Sequence, residues 1–262
     1  MNMYSKEHQN YLKKIKRNKI IIITFRIAIL LIFLITWELL VRFNIANKFL
    51  TSSPTEVIKT AYNLFKQSNL ISHINITLLE VIISFLLSSI IGLIIATIMW
   101  WNKNISKIID PYLTIINSLP KVSLGPLIII WSGANIKSII LMALLISLFT
   151  TIINMYTAFI ETDQNKILLL KSLQASKFQI FKKLILRSNI KNIISTLKIN
   201  ISLTLIGVIM GELLVSKKGL GYLITYGSQM FNLKLVITSI VILGIMSYLI
   251  YKIIDTIEKH IS

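Results

Sequence analysis

The 262-residue chain contains no cysteine, which excludes disulfide cross-links, iron–sulfur clusters and thiolate zinc sites. Histidine is nearly as scarce. His8, His73 and His260 stand far apart without ligand spacing, so no metal site is expected. Acids are few, 10 Asp and Glu against 28 Lys and Arg, and there is no G-x-x-x-x-G-K-[ST] run to cradle nucleotide phosphates. Three of the long apolar runs, at 78–99, 136–159 and 235–254, have no ionisable residue in their central part. A proton-coupled carrier needs such a group near the bilayer midplane, and an intramembrane hydrolase needs a nucleophile with its base or a metal. Neither constellation is visible, so uphill transport would have to draw its energy from another subunit.

What the chain has in excess is apolar surface, 55% hydrophobic residues with a mean hydropathy of +0.75, well above an ordinary globular domain. About 20 apolar residues cross a hydrocarbon core. Six runs of that order emerge, at 20–41, 78–99, 105–131 (interrupted), 136–159, 193–215 and 235–254. The first is longer than a signal-peptide core and no small-x-small site follows, so it reads as a span that stays. With the N-terminus inside, 17 Lys and Arg flank the inner ends and 9 the outer ends, which orients both termini to the cytoplasm. The net charge of +18 lies in the connections between runs, so it reports membrane topology and not a nucleic-acid partner. Arg26 and Lys198 lie near inner ends and are expected to snorkel, while Glu38, Glu80 and Glu212 lie near outer ends.

Several segments depart from plain spans. Ser53 and Pro54 open "SSPTEVIKTAYNLFKQ" as N-cap and first-turn residue, with Val57, Ala61, Leu64 and Phe65 on one face: an outer amphipathic helix lying on lipid or touching a partner. The third run holds three of the four prolines. Pro111 suits a first helical turn, whereas Pro120 and Pro126 break regular helix. Such interruptions persist at membrane depth only against protein or an aqueous cavity, so this segment, with Asn117, either lines a central pathway or is a kinked packing helix. Gly207 and Gly211 form a GxxxG for close helix packing, within the chain or between subunits. Glu212 directly follows and is expected to be interfacial and solvated.

Residues 160–191 carry seven Lys and Arg. Beyond a polar "QAS" bend, Phe178, Ile180, Phe181, Leu184 and Ile185 fall within about 160° of a helical wheel, opposite Gln179, Lys182, Lys183 and Arg187. Periodicity alone fits either a helix floating on the anionic inner leaflet or a knob gripping a cytoplasmic partner.

"SLQASKFQIFKKLIL" resembles the EAA loop of binding-protein-dependent ABC importer permeases, and "WELL", "SSPTEVI", "DPYLTIINSLPKVSLGPLIIIW" and "LTLIGVIMGELLVSKKGLGYLI" resemble the nitrate/sulfonate/taurine branch of that family. The resemblance implies an all-α, polytopic, type I ABC importer permease-like fold with about six transmembrane helices. It implies a docking turn for a cytoplasmic ABC ATPase formed by Lys171, Ser172, Leu173, Gln174, Ala175, Ser176 and Lys177, and a second helix from Phe178 through Phe181 to Leu186 that binds the loop to its own spans. Further implied partners are an extracytoplasmic substrate-binding protein and a second copy of the chain. ATP and magnesium would sit on the ATPase, and this chain would bind no cofactor and catalyse nothing. Pathway candidates are Asn117, Pro120, Pro126, Gly207, Gly211 and Glu212. The family's Glu-Ala-Ala triplet falls on Leu168, Leu169 and Leu170, its turn glycine on Gln174, and its Leu-Pro ending on Leu186 and Arg187. Residues 1–19 are expected as a cytoplasmic tail, 20–72 as first span and outer helix, and 73–262 as the permease core. The expected cargo is a small solute such as a sulfonate, nitrate or similar anion. A non-transporting membrane anchor or assembly protein is the alternative from another class.

Overall fold

The computed structural model describes residues 6–67 and 70–261, and all regular structure in them is helical. The side chains of His8 and His260 lie outside the described residues. Helix α1 (Lys6–Arg42) runs without a break from the basic segment into the first span, since neither proline nor glycine interrupts it. A single turn, α2 (Lys48–Thr51), leads to α3 (Pro54–Gln67). There Pro54 takes the first helical position and Ser53 Oγ accepts the Glu56 N–H at 3.3 Å. Val57 is buried, whereas Phe65, on the expected apolar face, is exposed. Helix α4 (Leu70–Trp101) is the second span.

The interrupted run is α5 (Lys103–Ser118), a 3₁₀ turn (Lys121–Leu124) and α6 (Gly125–Ser132), bent by 86° at the break. Pro120 caps the 3₁₀ turn and Pro126 stands in the first turn of α6, where its missing N–H has no helical partner to lose. The first-turn expectation for Pro111 fails. Asn102 caps α5 by accepting the Asn104 N–H at 2.9 Å, so the helix starts earlier and Pro111 lies inside it. Helices α7 (Ile136–Ile160), α8 (Gln164–Ser172), α9 (Lys177–Ile180), α10 (Leu186–Ser188), α11 (Ile190–Val215), α12 (Leu220–Gln229) and α13 (Leu233–Ile261) follow, with a π turn (Phe181–Ile185) joining α9 to α10. Among the described residues, five helices are long and apolar enough to cross a membrane, or six if the bent pair counts as one.

Helix α7 is the centre of the core, packed along both α4 and α11. Small residues set the approach. A Cβ on Gly207 would lie 2.5 Å from the Ala143 Cα, and one on Gly211 would lie 2.9 Å from the Ile139 Cα, so the GxxxG packs within the chain. Helices α12 and α13 pack together beside α11. Helix α1 buries Val41 near its C-terminal end, but none of its most apolar stretch is buried by the other described residues. Among the described residues it is tied on near its C-terminal end, where Glu38 accepts the Thr55 N–H at 3.2 Å and the Thr55 hydroxyl at 3.0 Å.

Candidate functional site

At the end of the bundle where α4 and α7 finish, α8 closes on Leu173 with a tight reversal. The Gln174 N–H donates to the Lys171 carbonyl and the Ala175 N–H to the Leu170 carbonyl, both at 2.9 Å, the pattern of a Schellman cap. Gln174 occupies the residue that this cap places at positive φ, and its φ is 57°. The glycine geometry is thus kept without the glycine. Ser176 then caps the next helix, accepting the Gln179 N–H at 3.3 Å while Gln179 Oε1 accepts the Ser176 N–H at 2.8 Å. Lys171, Ser172, Leu173, Gln174, Ser176 and Lys177 are all exposed, and Ala175 is half-buried.

The second helical piece is anchored as its periodicity predicts, with one exception. Ile180, Phe181 and Ile185 are buried, and Lys182, Lys183 and Arg187 face outward. The Phe181 ring packs 5.1 Å from Trp100 and 5.7 Å from Phe159, which joins the loop to the ends of α4 and α7. Lys177 donates to the Trp101 carbonyl oxygen, and its ammonium lies over the Trp101 ring at 5.4 Å. Phe178 is the exception. It sits at one edge of the apolar arc, beside the cap, and is 60% exposed. With Leu168, Leu169 and Leu173, also exposed, it forms an apolar outer face on the loop. Behind the loop lies a cavity of about 660 Å³ lined by Lys103, Lys107, Lys171 and Lys177.

The pathway candidates divide into two places. Asn117, at the end of α5, accepts from the Lys121 ammonium at 2.7 Å and the Thr150 hydroxyl at 3.1 Å, bracing the bend between α5 and α6 against α7. Pro120 and Pro126 flank the same bend. Gly207, Gly211 and Glu212 lie on α11, and Glu212 contradicts its expected solvation by being 1% exposed. The cause is α12, which folds back over the end of α11. Gly219, at φ 113°, turns the chain so tightly that any Cβ there would collide with the Glu212 carboxyl. Thr77 on α4 donates to Glu212 Oε1 at 2.6 Å and accepts the Leu220 N–H at 2.9 Å, while the Gly221 N–H donates to Glu212 Oε2. One carboxyl therefore ties α4, α11 and the start of α12 together.

The family described as binding-protein-dependent transport system inner membrane component matches residues 88–262. The chain belongs to that family. This permease is 27% identical, over 87% of its length and 91% of the relative's, to the formylaminopyrimidine transport permease protein ThiX of Halalkalibacterium halodurans. It is 23% identical, over 86% of its length and 82% of the relative's, to the putative aliphatic sulfonates transport permease protein SsuC of Bacillus subtilis. Its fold is similar to a chain of the MetNI methionine ABC transporter in an inward-facing conformation, with a TM-score of 0.65 and 19% identity over 74% of this chain and 96% of that one. Permeases of this family are the non-catalytic membrane components of ABC importers and work with an ATPase and a substrate-binding protein.

Three polar features of the permease escape a reading by runs. Lys198 does not simply snorkel: it ion-pairs with Asp255 at 2.8 Å and with Glu258, clamping α11 to α13. Asn200, fully buried on α11, accepts from the Ser88 hydroxyl at 3.0 Å and donates to the Ser89 hydroxyl at 2.7 Å, binding α11 to α4. Glu80 on α4 is 2% exposed and lies one turn from Thr77, the residue that donates to Glu212, on the same face of the helix. None has a sequence motif, because each depends on which helices become neighbours. The capping box S-K-F-Q at 176–179 is different: its Ser-x-x-Gln spacing was a readable signal.

Proposed function

We propose that this permease is the membrane-spanning subunit of an ATP-driven importer. It acts as a homodimer with two cytoplasmic ATPase subunits and an extracytoplasmic binding protein, and moves a small solute inward by alternating access. The observation that carries the reading is the construction of the loop. Its turn, residues 171–177, is exposed and stiffened by a Schellman cap and a capping box, while Ile180, Phe181 and Ile185 fix it to the ends of α4 and α7. A push on such a turn reaches the core instead of dissipating in a hinge, and its apolar outer face suits docking in a groove on the ATPase.

The loop and both termini lie on the cytoplasmic side in this reading, supported by the excess of Lys and Arg on those flanks. Residues 1–19 form the cytoplasmic segment, and the unit from residue 73 onward carries transport. Asn117, Pro120 and Pro126 border the pathway at the bend. Gly207 and Gly211 act on it by setting the distance between α11 and α7, and Glu212 by holding its outer end. The cargo is a small polar solute: a sulfonate, nitrate or similar anion, or a heterocycle of the kind for which the Halalkalibacterium relative is named.

Because the chain has no cysteine, one introduced at Ser172 or Ser176 is a unique cross-linking handle. Cross-linking in native membranes should trap an ATPase subunit at either position. Failure to retain or trap any ATPase would overturn the proposal.

A further inference from the structure

Two carboxyl groups in contact inside a membrane helix bundle demand an account of their charge. Glu80 and Glu212 are 2% and 1% exposed, Glu80 lies one turn from Thr77, whose hydroxyl donates to Glu212, so the two carboxyls face one another, and no ion pair reaches either among the described residues. Two ionised carboxylates in contact, cut off from water, repel strongly, and the usual resolution is that one stays protonated. The partners identify which. Glu212 receives the Thr77 hydroxyl on one oxygen and the Gly221 N–H on the other, the surroundings of a carboxylate. Glu80 receives nothing of the kind. Its Oε2 is buried without any hydrogen-bond partner, and so is Ser84 Oγ one turn along the same face of α4. An ionised Glu80 would leave negative charge on an oxygen with no donor, whereas a neutral Glu80 donates its O–H to Glu212 and leaves only a carbonyl oxygen unpaired. A bound metal ion is the poorer fit, because among the described residues no third His, Cys, Asp or Glu joins the pair.

We propose that Glu80 and Glu212 form a proton-binding site, with one proton held on Glu80 and shared with Glu212, and that this protonated pair is the latch joining the outer ends of α4, α11 and α12. The site does not depend on the transport reading, since it follows from the packing of this chain alone. Loss of the proton places two buried charges in contact and favours release of α12 from α4. The remaining titratable and charged groups on the surrounding elements do not neutralise the pair. His73 on α4 accepts the Gly219 N–H at 3.0 Å and stacks on Tyr222 of α12. Tyr226 follows on α12, Lys137 on α7 and Lys217 and Lys218 before α12 are exposed, and Lys234 on α13 is held by Glu56.

The test uses the purified full-length permease in lipid nanodiscs. Difference infrared spectra across a pH titration should show the carbonyl stretch of a protonated buried carboxylic acid that disappears as pH rises, and that is missing in Glu80→Gln. The protection factors of the Leu220 and Gly221 amides, with the intrinsic pH dependence of exchange divided out, should fall at least about tenfold over the same pH interval. Either single substitution, Glu80→Gln or Glu212→Gln, should abolish that pH response, because each leaves one carboxyl where two were needed. The proposal is overturned if no such band exists, if either variant retains the pH response, or if sodium concentration and not pH controls the exchange. None of these readouts requires transport, so failure of the importer reading would leave them unchanged.

Discussion

Gln174 shows what one residue costs and what its neighbours cover. A non-glycine residue at φ 57° is strained by roughly 1 kcal/mol, yet both Schellman hydrogen bonds form around it. Gln174→Gly should therefore stabilise the turn by about 1 kcal/mol, read as slower hydrogen exchange at the Ala175 amide. Gln174→Val, β-branched at the same φ, should do the reverse. Equal protection in all three proteins would show that the turn is not held in this geometry. The strain at Gln174 was legible from its spacing to the family pattern, because the cap needs positive φ at that residue whatever its side chain. The burial of Glu212 was not. Proximity to a helix end ordinarily means water, and only the fold-back of α12, made possible by Gly219, removes it.

Elements were more readable than residues wherever one physical requirement dominates. Spans must supply about 20 apolar residues, and the expected runs became helices with longer ends. The bend in the third run follows from Pro120, whereas the start of α5 depends on the Asn102 cap, a local hydrogen bond that overrode the first-turn preference of Pro111. Within the loop, the apolar arc correctly marked Ile180, Phe181 and Ile185 and misplaced Phe178, since a helical wheel gives direction but not where the core ends. Phe181 joins this element to the ends of α4 and α7, meeting Trp100, Trp101 and Phe159. Phe181→Asp places a charge in an apolar pocket at a cost of several kcal/mol. Substrate uptake should fall at least about tenfold while ATP hydrolysis by the assembled complex persists, and Phe181→Leu should lose much less. Normal uptake by the Asp variant at normal protein levels would remove Phe181 from the force path.

At the scale of the whole molecule, the outer elements are held to the core by polar ties. Glu56 on α3 bonds to Lys234 on α13 at 2.8 Å, and that hydrogen bond, with the charges of Lys234, Lys48 and Lys59, keeps the Glu56 carboxyl below the usual carboxylate range. A lowered carboxylate value means that the tie is complete above the ordinary value and is lost as pH falls through the folded one. Acidification should therefore loosen α3 from α13, seen as lower hydrogen-exchange protection factors along α3, and Glu56→Gln should make those protection factors independent of pH in the acid range. Persistence of the acid response in the variant would assign it to another group. This tie and the proton shared by Glu80 and Glu212 respond to pH in opposite senses, so the two outer contacts are separable in one titration.

Among the described residues helix α1 is tied to the remainder near its C-terminal end, and the consequence concerns how the protein is made. During synthesis α1 is made before α4 and has nothing to wait for among the described residues, since they leave its most apolar stretch unburied. Helix α4 is in the opposite position. Thr77 must wait 135 residues for Glu212 to be translated, and Ser88 and Ser89 must wait for Asn200. The first span can therefore hold the nascent chain at the membrane while the core is assembled behind it, with the docking of α12 and α13 on α11 as the step that completes the packing.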